Sequence, residues 1–472
     1  MEDLLELAVD LGLRQGADTA TARYDDLKTI LLTSKNGELT NKGTTVRRGF
    51  NFTCYVGGQK GGAYTPETIR ESIKQTVKTA IRVARAKQTY GLKPIVLDAL
   101  SEDLAGNLGT LAVKKHPNDT DIEAKLAYVE RIETATRDSA GEIQSVEVKY
   151  AEYSGTKQVL ASGGRLITWN PLVIDLYATV TAKIPGGGLI FDSDRVAGSA
   201  GLELFDSEKD GIEAKGTRLG KSVTEIVTAD HVNAGMHRVL LDPSLAGLLA
   251  HESLGHMSEA DFVLTGWSVL KDKKGEAIGS PAVTVIDAGT VSEGGYPLFL
   301  PYDDEGIPAG STTIVEKGIL KNFLSDRENA ALLGEKPTGN GRAVAYYHTP
   351  IPRMRNTYFT DGEVKTEEEM LELLGNGVYL QKTRGGHGGA NFSFTTGKGY
   401  LVKNGEIKSV LHSTTMSGEL LKFLHSIEHA GKNVVLESGY FGGCGKIQSP
   451  LQVGMGGPLL LSSAMRLGGK SS

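Results

Sequence analysis

The spacing of apolar residues predicts helices and strands in alternation along the first half of the chain. In residues 2–14, leucine, alanine and valine recur at the three- and four-residue spacing of one helical face. Residues 44–56 alternate apolar and polar side chains, and Gly57-Gly58 follows as a turn signal. The same patterns predict further helices at about 65–85, 120–137 and 204–226, strands at 18–25, 27–33, 142–153, 156–161, 164–170 and 172–184, and an irregular stretch at 87–118.

From about residue 236 the predicted strands become short and are bounded by glycines. Lys317-Gly318 and Asn404-Gly405 are strong signals for hairpin turns. The pattern predicts strands at 237–241, 282–287, 312–316, 319–324, 378–383, 391–395, 398–403, 406–412 and 434–437, with short helices at 243–256, 326–333, 366–374 and 417–424.

These elements predict an α+β protein of two domains. Residues 1–230 would form an N-terminal α+β domain, in which helices flank an antiparallel sheet. Two lobes, at about 1–110 and 111–230, or one domain with several crossovers would both fit this half. Residues 231–472 would form a mainly antiparallel β domain with inserted helices.

Composition excludes several classes of protein. The chain has 472 residues, of which 60 are glycine, about 13 %, and 2 are cysteine. Since glycine averages about 7 %, the excess indicates many tight turns. A net charge of -6 without a basic stripe disfavours nucleic acid as the primary partner. No apolar run is long enough to span a membrane and two distant cysteines make no disulfide framework, so we expect a cytoplasmic protein.

The candidate chemistry lies at His251, Glu252 and His256, within the predicted helix 243–256. Two imidazoles flanking a carboxylate suit a hydrolytic metal site, in which the histidines bind the metal and the glutamate accepts a proton from water. Because five residues separate the histidines, a regular helix would point them about 140° apart. A wide π-type turn, or a helix that ends at Gly255, would bring both to one ion. Histidines that only pack or bind hydrogen bonds are the alternative.

A catalytic zinc site normally has three protein ligands, so a third must come from elsewhere in the chain. Cys444 lies in a glycine-rich segment whose backbone could approach a site closely. A buried, unreactive cysteine is the alternative. The other candidates are a carboxylate or one of His348, His387, His412, His425 and His429.

The motif around His251 resembles that of a known family. Its sequence HESLGH, followed by SEAD at 258–261, is similar to the metalloprotease motif of the TldD branch of the TldD/PmbA family, also called modulators of DNA gyrase. Segments 302–308, 352–358 and 444–458 resemble other signatures of that family. The similarity covers essentially the whole chain and is strongest after residue 236.

This resemblance implies zinc bound by His251, His256 and Cys444, with Glu252 as the general base. It also implies hydrolysis of peptide bonds in short or unfolded polypeptides, within a homodimer or a heterodimer with a PmbA-type subunit. Substrate would bind by β-strand addition. A non-enzymatic interaction protein with a structural metal or none, and a metal hydrolase acting on another substrate, are the competing hypotheses.

Two segments depart from the family pattern, and a third carries acidic residues of unassigned role. Residues 257–260 differ from the family's usual sequence, and His387 stands in a glycine-rich loop where other residues are expected. His387 could donate a hydrogen bond in the transition state or simply face solvent. The acidic run Asp303, Asp304 and Glu305 could form a turn, a second metal site or a pocket for the amino terminus of a substrate.

Overall fold

The computed structural model describes residues 1–90, 93–97, 100, 111–164, 166–292 and 294–468. It confirms the α+β class, with helices flanking antiparallel sheets. The predicted irregular stretch 87–118 lies partly outside the described residues. No helix in the described parts of the chain is long and apolar enough to cross a membrane.

The first half of the chain is built on one antiparallel sheet, in the order β3-β2-β1-β4-β6-β7 with β5 beside β4. Its elements are α1 (Glu2–Arg14), β1 (Thr19–Lys35), β2 (Glu38–Val56), β3 (Gln59–Thr65), α2 (Arg70–Gln88), α3 (Ile122–Ser139), β4 (Ser145–Ala161), β5 (Ile167–Trp169), β6 (Leu172–Lys183), β7 (Leu189–Gly198) and α4 (Ile212–Val227), with 3-10 turns at Pro117–Asp119 and Leu202–Asp206.

Two hydrophobic cores share this sheet. Helices α1 and α2 pack on β1 and β2 around Phe50 and Phe52, whereas α3 and α4 pack on β4, β6 and β7 around Tyr150 and Phe205. The strands of both cores belong to one continuous sheet, so backbone hydrogen bonds between β1 and β4 join the two cores. The domain boundary at residue 230 stays a prediction.

Several predicted element boundaries in this half are wrong. The second helix begins at Arg70 and not at residue 65, because Thr65 is still paired with Phe50 in the sheet. Gly155 does not end a strand, and β4 runs through it. A side chain at this position would collide with the backbone of Asp26, so the glycine lets β1 and β4 approach closely. Strand β7 was not predicted.

The second half of the chain contains two larger sheets and a short two-stranded one. Its elements are β8 (Gly235–Leu241), α5 (Pro243–Leu248), a π-helix (Leu249–Gly255), α6 (Ala260–Thr265), β9 (Val285–Ala288), β10 (Gly295–Tyr296), β11 (Ser311–Glu316), β12 (Ile319–Leu320), α7 (Arg327–Leu333), β13 (Gly341–Arg342), β14 (Ile351–Pro352), β15 (Asn356–Phe359), α8 (Glu367–Leu374), β16 (Gly377–His387), β17 (Asn391–Lys403), β18 (Glu406–Leu411), β19 (Thr415–Glu419), α9 (Leu420–Ser426), β20 (Ile427–Ala430), β21 (Val435–Lys446), β22 (Gln448–Gly457) and β23 (Leu460–Gly468).

One of these sheets closes into a ring. Strands β16, β8, β23, β19 and β17 follow one another, and β17 pairs back to β16. The other sheet has the order β10-β21-β22-β15-β9-β11-β12. Most pairs are antiparallel, as predicted, while β8–β16, β15–β22 and β10–β21 are parallel. The helical segment 243–255 leaves the ring after β8 and lies in the large core of this half.

Candidate metal centre

The helix that carries the two histidines changes its winding where the sequence requires it. Asp242 caps α5, because its carboxylate accepts a hydrogen bond from the Leu245 amide at 2.9 Å. The helix then widens into a π-helix at Leu249–Gly255, which confirms one of the two predicted solutions. The rings of His251 and His256 consequently lie on one side, with centroids 5.3 Å apart.

Two glycines let this helix pack tightly against the neighbouring sheet. A side chain at Gly247 would approach the Gly456 amide nitrogen to 2.5 Å. A side chain at Gly255 would collide with the sulfur of the buried Met354. The segment that contains Met354 therefore packs directly against the helix that carries His251 and His256, although Met354 lies 98 residues after His256 in the sequence.

Cys444 completes a group of three potential metal ligands. It lies on β21, opposite Leu451 of β22, and its Sγ is 3.4 Å from Nε2 of His256. One ligand atom from each of His251, His256 and Cys444 lies within 4.8 Å of the others. Within the described residues, this is the one group of three or more such side chains that could hold a metal.

The three side chains fit a zinc ion chemically, and the separation of His256 from Cys444 also fits it sterically. Imidazole nitrogen and thiolate sulfur are typical zinc ligands, at about 2.0–2.1 Å and about 2.3 Å. At a tetrahedral angle, these bond lengths place nitrogen and sulfur about 3.5 Å apart, close to the observed 3.4 Å.

The His251 ring also lacks the partners that a buried polar group needs. It is fully buried, and within the described residues neither of its nitrogens makes a hydrogen bond of good geometry, although its imidazole interacts with the Cys444 thiol. Leaving such a group without a partner costs about 1–3 kcal/mol. A metal ion would satisfy one of the two nitrogens.

Charge interactions favour the metal-binding form of the cysteine. Burial alone would raise the pKa of Cys444, but the adjacent His251 and His256 imidazoles lower it to about 4. Burial lowers the pKa of His256, but Glu259 above all, together with Cys444, raises it to about 10. In the absence of metal, Cys444 and His256 therefore resemble a thiolate beside an imidazolium. A metal cation can replace the imidazolium proton.

Glu252 lies on the same π-helix and remains accessible. Its side chain is 30 % exposed, and its Oε2 is 3.9 Å from Nε2 of His256. The glycine-rich loop that follows β16 packs on it, since any side chain at Gly388 would collide with the Glu252 carbonyl group. The neighbouring His387 is exposed, and a catalytic role for it stays a prediction.

The remaining histidine candidates do not join this group. His412 stacks on His231, with ring centroids 4.6 Å apart, and His348 lies against Tyr347 at 4.7 Å. His425 is exposed on α9.

The acidic run forms a turn. Asp303 accepts hydrogen bonds from the amides of Glu305, Ile307 and Gly341. Asp304 binds Lys157 of the first sheet at 2.5 Å. Burial opposes its ionisation, but the charges of Lys157 and Arg23 lower the pKa of Asp304. These contacts describe a structural loop that joins the two halves of the molecule.

Three supporting residues received no role from the sequence. Glu259 binds Nδ1 of His256 at 2.9 Å, and Lys446 binds Glu259 at 3.0 Å. The buried guanidinium of Arg353 donates hydrogen bonds to the carbonyl oxygens of Cys444 and Gln448, at 2.8 and 3.0 Å. Only Glu259, three positions after His256, is close enough along the chain to give a local signal.

Comparison with known proteins places the whole chain in one family. Models of three domains match: PmbA/TldA metallopeptidase domain 1 at residues 20–84, the central domain at 115–229 and the C-terminal domain at 234–469.

Individual relatives agree with this assignment. A metalloprotease of Methanocaldococcus jannaschii is 33% identical, over 94% of this chain and 96% of its own length. A protein of Saccharolobus solfataricus named zinc metalloprotease TldD homolog is 30% identical, over 76% of this chain and 79% of its own. The crystal structure of TldE from Thermococcus kodakarensis has the same fold, with a TM-score of 0.74 at 17% identity over 98% of this chain and 99% of that one. The chain belongs to the TldD/PmbA family of metallopeptidases.

Proposed function

We propose that this protein is a zinc-dependent peptidase in which His251, His256 and Cys444 hold the metal and Glu252 is the general base. The observation that carries the proposal is the convergence of two nitrogens and one sulfur within 4.8 Å, beside an accessible carboxylate. Three protein ligands leave a fourth position open, which is typical of catalytic zinc.

The proposed hydrolysis needs a metal site and a group that transfers protons, and different residues supply the two. Zinc in this site would supply a Lewis acid that acidifies water and polarises a peptide carbonyl. Glu252 would accept the proton of the attacking water and then deliver it to the leaving amine. Its 30 % exposure gives water and substrate access, while the fully buried His251 is shielded from both.

We extend the proposal to substrate, assembly and compartment. Short or unfolded polypeptides are the proposed substrates, since an extended chain can add to the free edge of a sheet. A homodimer, or a heterodimer with a PmbA-type subunit, would enclose the site. A metal-binding thiol at Cys444 must stay reduced, which supports a cytoplasmic location.

The main rival is a non-enzymatic interaction protein with a structural zinc ion. Structural zinc normally has four protein ligands. The described residues offer three at this point, and the nearest carboxylate, Glu252, is partly exposed. Both observations favour the catalytic hypothesis.

The test is a Glu252→Gln variant assayed on a library of unstructured peptides. We expect activity to fall by about 10²–10⁴-fold, because the general base is lost, while zinc content stays the same. Glu335→Gln, a partly exposed surface glutamate paired with Lys274, is the matched control and should keep full activity. Full activity in Glu252→Gln would contradict the mechanism.

A further inference from the structure

Behind His256, three separate segments of the chain meet in one buried polar cluster. Glu259 is fully buried, and its Oε2 lies 2.9 Å from Nδ1 of His256 and 3.0 Å from Nζ of Lys446. Lys446 is also buried and lies two residues after Cys444. The cluster therefore connects the helix that carries His251 and His256 to the strand that carries Cys444.

The ammonium group of Lys446 is held by several partners at once. It binds Asp261 at 2.7 Å and the Pro352 carbonyl oxygen at 3.1 Å, in addition to Glu259. It also lies 4.2 Å from the ring centroid of Phe262, a cation–π contact. Since these partners come from different segments, the position of Lys446 is fixed from several sides.

We propose that Glu259 and Lys446 are positioning residues that fix His256 and Cys444 for metal binding. Glu259 accepts the Nδ1–H of His256, so Nε2 is the nitrogen left to face Cys444. Lys446 holds the Glu259 carboxylate in place and ties the Cys444 strand to it. This inference rests on the proposed metal site but assigns residues that are not metal ligands.

Energetic considerations agree with this role. A carboxylate that orients a ligating histidine typically changes metal affinity by about 10–100-fold when it is removed. A fully buried Glu259 without a cation would carry a large desolvation penalty, so Lys446 is needed to keep it as an anion. Arg353 also holds the Cys444 carbonyl oxygen at 2.8 Å, so both ligand segments are fixed independently of a metal.

The test measures the zinc dissociation constant by competition with a chromophoric chelator, on variants whose folding is checked by circular dichroism. Glu259→Gln should raise this constant about 10–100-fold. Lys446→Met should also raise the zinc dissociation constant. Lys446→Arg keeps the cation, so its constant should stay within about threefold of the wild-type value. Glu419→Gln is the matched control, because Glu419 forms an exposed pair with Lys422 at 2.7 Å.

The visible spectrum of the cobalt-substituted protein gives a second readout. A positioning role predicts altered d–d bands in Glu259→Gln with the thiolate charge-transfer band retained, since Cys444 itself is unchanged. Zinc affinity within twofold of the wild type in folded Glu259→Gln would overturn the inference. If Lys446→Met does not fold, the zinc affinities of Glu259→Gln and Lys446→Arg still test the positioning role. Failure of the wild-type protein to bind zinc would instead refute the proposed function.

Discussion

The metal centre and the acidic turn at 303–305 both concentrate ionisable side chains, but they use them in opposite ways. Every carboxylate of the turn accepts a hydrogen bond from a backbone amide or a lysine, as in Asp304 with Ala343 and Lys157. At the metal centre, neither nitrogen of the buried His251 makes a hydrogen bond of good geometry within the described residues, and its imidazole faces the Cys444 thiol, another potential ligand.

This contrast shows how a structural cluster differs from a ligand site. Groups whose hydrogen bonds are all made within the chain stabilise the fold, because each buried polar atom has a partner. A buried group without a partner costs free energy unless a ligand supplies one. Sequence alone marked both regions as candidate metal sites, and hydrogen-bond partners separate them.

The largest expected effect comes from breaking the turn. Asp304→Ala should lower the free energy of unfolding by about 3–5 kcal/mol, because it leaves the Lys157 ammonium, 7 % exposed, without its carboxylate. Urea titration followed by circular dichroism measures the loss. Zinc affinity of the folded fraction should stay within about twofold.

The double variant Asp304→Leu with Lys157→Met is the control for this prediction. Replacing both partners of a buried ion pair with apolar residues is often neutral, so part of the lost stability should return, while the Ala343 amide and Arg23 still lack the Asp304 carboxylate. A single Asp304→Ala variant as stable as the wild type would show that the turn does not stabilise the fold in this way.

The second prediction concerns the metal centre. His251→Leu should weaken zinc binding at least about 100-fold, one ligand's share of the ~10–16 kcal/mol typical of structural zinc sites. The metal-free protein should change little in stability, because the lost interaction of His251 with the Cys444 thiol is offset by the removal of a buried imidazole that lacks well-formed hydrogen bonds. Chelator competition and urea titration measure the two quantities. A large loss of metal-free stability would mean that His251 has a structural role.

The smallest effect is a dependence of stability on pH that arises in the turn. Burial above all, together with Asp326 and Asp303, raises the pKa of Glu305 to about 8 from its usual value of 4.5. The neutral form is thus favoured in the folded state. Its stabilising contribution is complete below about pH 4.5 and is lost as the pH rises through 8.

Glu305→Gln should therefore gain stability relative to the wild type as the pH rises from 4 to 8, with no difference at pH 4. Thermal unfolding at several pH values measures this. Glu335→Gln, paired with Lys274 at the surface, is the control and should show no such gain. A constant difference across the pH range would contradict the assigned titration.

Prediction from sequence succeeded where a local pattern carries the information. The five-residue spacing of His251 and His256 required a π-turn or an early helix end, and the structure has the π-helix. Strand β17 shows the limit of such patterns. The pattern predicts two strands, at 391–395 and 398–403, yet a single strand runs from Asn391 to Lys403 because pairing on both sides holds it together.

Long-range contacts could not be predicted from the chain alone. Cys444 was one of several candidate ligands, and its approach to His256 depends on the pairing of β21 with β22 and on the buried Arg353. The close contact between Gly255 and Met354 likewise depends on packing between distant segments. These contacts are products of the tertiary fold, for which periodicity along the chain gives no signal.

The proposed function depends on a zinc ion that is bound by two histidines and one cysteine and has one open position. X-ray absorption at the zinc edge of the purified protein measures this coordination. We expect one sulfur at about 2.3 Å and three nitrogen or oxygen neighbours at about 2.0–2.1 Å, with the sulfur lost in Cys444→Ser. A zinc ion without a sulfur neighbour, or a spectrum unchanged in Cys444→Ser, would contradict it.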